Sequence, residues 1–264
     1  MENSLMLITQ TLDPARCAEK IRNAEKMAVL SGAGISTAAG IPDFRGPRGL
    51  YVTRRYDPDK VFEISAFRGE PHYFYEFTRD FVTEVRDVKP TFTHYFLAEL
   101  EKSGPLTGII TQNIDTLHQL AGSRNVLELH GSYRSASCSK CGKNFDELTY
   151  RWWEKAMLES SAPPVAFCSA CGGVLKPDIV FFGEMVNGFN AAERLIAECD
   201  LLLVLGSSLA VSPASSLPTG TQATTIVVNS GEVMLPPAPH RYFIDQNLDV
   251  YFRAVAEHLP MSAG

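Results

Sequence analysis

The chain has 264 residues, of which 45% are hydrophobic, 10% aromatic and 20% charged; this excludes a disordered protein and allows about two domains. With 24 Lys and Arg against 30 Asp and Glu the formal net charge is −6, so the basic face of a duplex binder is missing and no direct nucleic-acid binding is expected. The longest apolar runs, Leu201 to Leu205 and Ile179 to Phe182, fall far short of the ~18 residues of a membrane span, and the first ten residues carry no basic leader. A cytoplasmic protein with no membrane partner is expected.

Helical periodicity from Asp13 to Glu25 precedes a short apolar strand, Met27 to Leu30, that stops at Ser31-Gly32-Ala33-Gly34. From Gly46 to Lys89 the chain is aromatic-rich, with turn signals at Gly46-Pro47, Asp57-Pro58 and Glu70-Pro71; amphipathic patches at Val61 to Phe67 and His72 to Val85 predict a helical insertion. A helix over Thr91 to Lys102 leads to a strand at Gly108 to Ile110 that stops at Thr111-Gln112-Asn113. A helix over Thr116 to Ala121 leads to a strand at Val126 to Leu129 that stops at His130-Gly131. Tyr133 to Lys176 holds two Cys-x-x-Cys pairs with a helix between them, Asp146 to Leu158, containing Trp152-Trp153. After a helix over Ala191 to Glu198, the strand Leu201 to Leu205 runs into Gly206-Ser207-Ser208 and Thr225 to Val228 into Asn229-Ser230-Gly231, before a last helix from Leu248 to Leu259. This alternation predicts an α/β fold with a parallel sheet, whose polar strand ends converge on one crevice. The two excursions predict a smaller lobe. The expected division is 1–45, 90–132 and 175–264 for a discontinuous nucleotide-binding domain, 46–89 for a helical module and 133–174 for a cysteine-bearing module.

Gly32-Ala33-Gly34 through Gly40 lets backbone amides approach phosphate oxygens, although the third glycine is displaced to position 40 and a plain tight turn fits equally well. Asp43-Phe44-Arg45 then offers an acid, a ring and a guanidinium for ribose, heterocycle and anion. In Gln112-Asn113-Ile114-Asp115, an amide and a carboxylate could orient a carboxamide, or Asn113 or Asp115 could cap a helix. His130 ends a strand in the shared crevice, where a histidine can act as general base; His94 and His118 lie inside helical patterns and read as structural.

Cys138-x-x-Cys141 and Cys168-x-x-Cys171, 26 residues apart, read as a structural zinc site whose four thiolates leave no position for substrate; redox pairs are the alternative. Cys17 and Cys199 read as buried thiols. Lys176 to Glu184 is an extended apolar segment that could pair with a peptide main chain or serve as a core strand.

In this order, Gly32-Ala33-Gly34-Ile35-Ser36, Gly40-Ile41-Pro42-Asp43-Phe44-Arg45, Thr111-Gln112-Asn113-Ile114-Asp115, Leu129-His130-Gly131, the four cysteines, Phe182-Gly183-Glu184, Gly206-Ser207-Ser208-Leu209, Asn229-Ser230-Gly231 and Asp249-Val250 resemble the sirtuin family of NAD-dependent protein deacylases, over residues 13 to 258. The resemblance implies a Rossmann-like domain, a smaller lobe of zinc ribbon and helical module, and a cleft taking NAD and an acyl-lysine peptide from opposite sides. It implies His130, Asn113 and Asp115 as the catalytic set, with His130 the base. NAD would be held by Gly32, Ala33, Gly34, Ser36, Asp43, Phe44, Arg45, Gln112, Asn113, Ile114, Asp115, Gly206, Ser207, Ser208, Asn229, Gly231 and Val250, and the peptide by Val180, Phe181, Phe182, Gly183 and Glu184.

The implied reaction has the acyl oxygen attack the nicotinamide ribose to give an alkylamidate, and yields free lysine, nicotinamide and O-acyl-ADP-ribose. Members that remove succinyl or malonyl groups carry a Tyr-x-x-Arg pair in the helical module. The matching segment is Phe74 to Arg79, with Tyr75 present, Thr78 in place of the Arg and Arg79 about 100° further round the helix, so uncharged acyl groups, above all acetyl, are the expected substrates. Mono-ADP-ribosyl transfer on the same scaffold and a catalytically silent NAD or zinc module are the competing readings.

Overall fold

The computed structural model describes residues 10–42, 56–158 and 164–260. The first helix, α1 (Pro14–Asn23), starts where the Asp13 carboxylate accepts the Arg16 amide at 2.9 Å and Pro14 supplies a preset φ; its face Cys17, Ala18 and Ile21 is buried. Strand β1 (Met27–Ser31) then enters the centre of a six-stranded sheet with β2 (Leu106–Thr111), β3 (Val126–Glu128), β7 (Leu201–Leu205), β8 (Thr224–Val228) and β9 (Arg241–Ile244). The spatial order is β3-β2-β1-β7-β8-β9, and every pair is parallel. β1 and β7 are buried at all five positions, as strands covered on both faces must be.

Alternation along these strands divides the core in two. Met27, Val29, Leu201, Leu203 and Leu205 pack with α1, α5 (Phe92–Ser103) and α9 (Leu248–Ala256) through Phe96, Leu97, Tyr251 and Phe252. Ala28, Leu30, Leu202 and Val204 pack on the opposite face with Ala192 and Ile196 of α8 (Phe189–Glu198). Burial pushes the thiols of Cys17 and Cys199 up to about 11, in keeping with core cysteines. The edge strand β9 was not expected from sequence. Arg241, at its start, is buried and donates to the carbonyls of Pro236, Pro218 and Thr219, so a charged residue is accommodated where a strand pattern would want an apolar one.

The second sheet is antiparallel, β5 (Asn144–Phe145), β4 (Gly131–Cys138) and β6 (Leu175–Ile179) in that order. The sequence reading placed 175 onward in the large domain, whereas β6 pairs with β4 because its alternate residues Leu175, Pro177 and Ile179 face the small-lobe core. That core is aromatic. Phe67, Phe74, Phe77, Tyr133, Trp153 and Phe181 come from α3 (Ile64–Gly69), α4 (His72–Val85), β4, α7 (Tyr150–Leu158) and the segment after β6. A short helix, α2 (Pro58–Val61), precedes them. The helix expected from Asp146 begins only at Tyr150, after Glu147 adopts a left-handed φ of 57°. The helix expected over Thr116 to Ala121 is a single turn, α6 (Leu117–Leu120), behind Thr116 at φ 61°. Among the described residues no helix is long and apolar enough to cross a membrane.

Candidate functional site

The parallel register brings the carboxyl ends of β1, β2, β3, β7 and β8 to one edge, and with them Gly32, Gln112, His130, Gly206 and Asn229. Two of these ends meet through glycine. A Cβ on Gly34 would lie 2.7 Å from the Gly206 Cα, and one on Gly206, at φ +60°, would lie 2.4 Å from the Ile35 nitrogen. The Gly34 amide closes the contact by donating to the Gly206 carbonyl at 2.8 Å. The floor of the crevice is therefore bare backbone, the form of surface a dinucleotide pyrophosphate needs. Gln112 Nε2 donates to Ser207 Oγ at 3.0 Å and ties β2 to the same floor.

Asn113, Ile114 and Asp115 face this floor beside Ala33 and Ser36. Ser36 Oγ donates to Asp115 Oδ2 at 2.6 Å; Asn113 Nδ2 donates to the Gly32 carbonyl at 3.2 Å and to Ser36 Oγ at 3.3 Å. Asp115 Oδ1 also accepts the Leu117 amide at 2.9 Å, so one carboxylate serves both the helix start and the contact with Ser36. Burial pushes the Asp115 carboxyl above its ordinary value, against the opposing pull of Ser36, the Leu117 amide and Asn113. Below lie two buried histidines. His118 Nε2 is 2.8 Å from Ser31 Oγ, which donates to Thr111 Oγ1 at 3.0 Å, and Thr111 Oγ1 accepts the Asn113 amide at 3.1 Å. The His94 ring stands 4.8 Å from that of His118; burial holds His94 down to about 3 and His118 well below its usual range, so both are neutral.

His130 Nδ1 lies 2.8 Å from the Gln112 carbonyl. A carbonyl only accepts, so Nδ1 carries the hydrogen and Nε2 is the atom with a lone pair. Burial lowers the His130 pKa, and the Gln112 carbonyl opposes the shift. The next residue, Gly131, joins the two sheets: it has φ +67°, and a Cβ there would fall 1.8 Å from the Asp178 carbonyl oxygen. The His130 carbonyl accepts the Val180 amide at 2.8 Å, which ties segment 180–184 to this histidine. Phe182 continues that segment, donating its amide to the Phe62 carbonyl at 2.7 Å and accepting from Ile64 at 3.2 Å. Phe181 is buried against Phe67 and Phe74, so of this pair it is Phe182, half exposed, that presents a ring to solvent.

Other expected residues are placed less directly. Asn229 Nδ2 bonds within its own turn, to the carbonyls of Ser230 and Gly231, and the Gly231 amide donates to Asp245. Ser208 accepts the Met234 amide through its carbonyl, and Val250 is exposed at the start of α9. Asp43, Phe44 and Arg45 lie outside the described residues.

Residues that the sequence reading did not single out complete the pocket: Tyr56, Phe77, Phe81 and Glu84 line it with Asn113 and Asp115, as do Ile41 and Pro42. The spacing 77, 81, 84 was the available signal, since these positions share one helix face. Tyr75 and Thr78 lie on another face and are fully buried. Tyr75 donates to the Leu175 carbonyl and Thr78 bonds Tyr133, so the α4 residues that line the pocket are Phe77, Phe81 and Glu84 and not the two positions at which an acyl-carboxylate pair would stand.

The four sulfurs of Cys138, Cys141, Cys168 and Cys171 all lie within 4.8 Å of one another, with Cys138 to Cys171 at 3.5 Å and Cys141 to Cys168 at 3.9 Å. Zinc–sulfur bonds of 2.3 Å in a tetrahedron require sulfurs about 3.8 Å apart, so the donor set fits zinc. The Cys141 amide, then that of Lys140 and the neighbouring thiols push the Cys138 thiol down to about 6. The cysteines stand at the opposite end of the β4–β6 sheet from Gly131 and so from His130, which fits a structural ion.

A sequence profile of the Sir2 family matches residues 32–213. Among similar proteins, the NAD-dependent protein deacetylase of Sulfurisphaera tokodaii is 46% identical over 78% of this chain and 80% of its own length. The NAD-dependent protein deacylase of Aeropyrum pernix is 39% identical over 94% of this chain and 96% of its own. A solved structure of a Sir2 His-to-Ala variant with deacetylated p53 peptide and 3'-O-acetyl-ADP-ribose is 34% identical and superposes with a TM-score of 0.85 over 95% of this chain and 100% of that one. The match spans both sheets, the glycine floor and the four cysteines, and the chain belongs to the Sir2 family.

Proposed function

We infer that this chain is an NAD-dependent protein-lysine deacetylase, acting on uncharged acyl groups and releasing free lysine, nicotinamide and O-acyl-ADP-ribose. The observation that carries this reading is the hydrogen bond from His130 Nδ1 to the Gln112 carbonyl. It puts a base of fixed tautomer at the end of β3, beside the end of the neighbouring strand β2 that carries Asn113 and Asp115. Bound NAD would supply an electrophilic ribose carbon, which the acyl oxygen can attack as nicotinamide leaves, and a ribose hydroxyl that finally takes the acyl group. The residues of the chain position and move protons. The glycine floor with Ser207 and Gln112 would take the phosphates and ribose, joined at the adenine end by Ser208, Asn229, Gly231 and Val250. Asn113 and Asp115, oriented by Ser36, would hold the carboxamide. His130 Nε2 would take the proton of a ribose hydroxyl, and burial keeps it unprotonated at neutral pH.

The acylated substrate would enter beside Val180 to Glu184, pairing main chain to main chain, which admits many peptide sequences. The α4 face that borders the pocket is Phe77, Phe81 and Glu84, with no cation to receive an acyl carboxylate, and this supports acetyl over succinyl. Six cysteines without a disulfide support a reducing, cytoplasmic setting.

The test is a mass-spectrometric time course of an acetyl-lysine peptide with purified protein, with and without NAD. Equal yields of deacetylated peptide, nicotinamide and acetyl-ADP-ribose, only with NAD, are expected. Nicotinamide release with the acetyl group left in place would turn the reading to ADP-ribosyl transfer, and no turnover would turn it to a silent module.

A further inference from the structure

One charged side chain of the small lobe takes no part in the crevice yet shapes what borders it. Lys176, on β6, has a side chain only 18% exposed. Its Nζ donates to the Ile179 carbonyl at 2.8 Å and the Pro177 carbonyl at 3.4 Å, lies 2.9 Å from Glu184 Oε2, and sits 4.5 Å above the centre of the Phe181 ring. Glu184 Oε2 in turn accepts the Phe181 amide at 3.0 Å, and the Glu184 amide donates to the Phe181 carbonyl at 3.0 Å. All three ammonium hydrogens therefore have acceptors within the eight residues that follow Lys176. Segment 180–184 has one isolated bridge, Phe182 to Glu63, and backbone bonds of Val180 and Phe182 to their neighbours; the ammonium and its carboxylate close the turn between those points and Glu184.

We propose that Lys176 is a positioning residue for the acyl-peptide, clasping segment 177–184 through Glu184 in the form against which the substrate main chain pairs. The proposal rests on the deacylase reading and adds a residue that reaches neither NAD nor the acyl group. A solvated ion pair would contribute little, but this one is largely shielded and is shared with two carbonyls. Its effect is to order the segment before the peptide arrives, so its loss falls on peptide affinity.

The experiment measures initial rates of the zinc-loaded full chain with an acetyl-lysine peptide and NAD, each varied at saturation of the other. Lys176→Met should raise the peptide KM about tenfold while the NAD KM and kcat stay within about twofold. Lys176→Arg should restore most of the peptide KM, because a guanidinium can bridge the same oxygens. Glu184→Gln keeps the shape, removes the charge and should raise the peptide KM alone; the double variant should be no worse than the worse single one. This second variant serves if Lys176→Met does not fold.

A peptide KM unmoved in Lys176→Met and Glu184→Gln overturns the clasp. So does a joint loss of kcat, both KM values and ADP-ribose binding that Lys176→Arg does not repair, since that is damage to the fold. A wild type that leaves the peptide acetylated strikes the deacylase reading itself, whereas an active wild type with unchanged variants strikes the clasp alone.

Discussion

The two lobes hold their functional groups by different means. In the large lobe the crevice is fixed by a fully buried parallel ladder, and its side chains are oriented by single hydrogen bonds at strand ends, as with Ser36 to Asp115 and His130 to Gln112. In the small lobe three short strands are backed by side chains instead, an aromatic core on one side and four clustered cysteines at the end of the sheet. Backbone geometry thus places the chemistry, while rings and a metal place the surface that borders it. The difference teaches that loss of a strand-end side chain in the large lobe should be read first in turnover, and loss of the metal from the small lobe first in folding.

Removing zinc is the severest trial of that contrast. Cys138→Ser, or a strong chelator, should cost the small lobe on the order of ten kcal/mol of folding free energy and abolish deacetylation. Far-UV dichroism and zinc content should fall together; activity that survives full zinc removal would break the comparison. In the large lobe His130→Ala should lower turnover by about 10² to 10⁴ with ADP-ribose affinity and thermal midpoint unchanged. Because burial lowers the His130 pKa, the neutral imidazole persists as pH falls. The acid limb of kcat/KM should accordingly lie below about 6.5, and a limb above that value would count against His130 as the base.

Gly206→Ala probes the floor itself. The added Cβ meets the Ile35 nitrogen at 2.4 Å with φ at +60°, so a loss of about 3 kcal/mol in denaturant unfolding, with weakened ADP-ribose binding, is expected. The buried histidines give a pH signature that belongs to the large lobe. Their folded pKa values lie below the ordinary histidine value, so the unfolded chain takes up more protons between about 6.5 and the folded value, near 3 for His94. Stability from this source is complete above that window and is lost as pH falls through it; His94→Gln should flatten the profile. The smallest effect sharpens the picture at the periphery. Asp249 accepts the Phe92 and Thr93 amides and the Thr93 hydroxyl at the start of α5, and Asp249→Ala should cost about 1 kcal/mol with turnover intact.

Much of the large lobe could be read from the chain because its strands are apolar runs that stop abruptly at Gly, Ser, Asn or His, and a parallel sheet gathers such stops at one edge. β9 escaped that rule: Arg241 hides its charge among three carbonyls, an arrangement assembled from residues about 5 and 23 positions away in sequence. The four cysteines were legible because metal-ligand spacing is local. The α4 residues that line the pocket were not, since helix α4 is apolar on more than one side; which side meets the pocket and which meets Tyr133 is settled only by the elements it packs on. The allegiance of β6 was hidden likewise, because a segment's partner strand is not written in its own residues.

Gly131 has a further, mechanical meaning. With the Asp178 carbonyl 1.8 Å from where its Cβ would be, the chain is welded there, between the parallel sheet and the antiparallel one. When two bodies rotate about a joint, displacement grows with the lever arm and vanishes at the pivot. His130 sits one residue from that joint, so any rotation of one lobe against the other would displace its imidazole less than groups farther from Gly131.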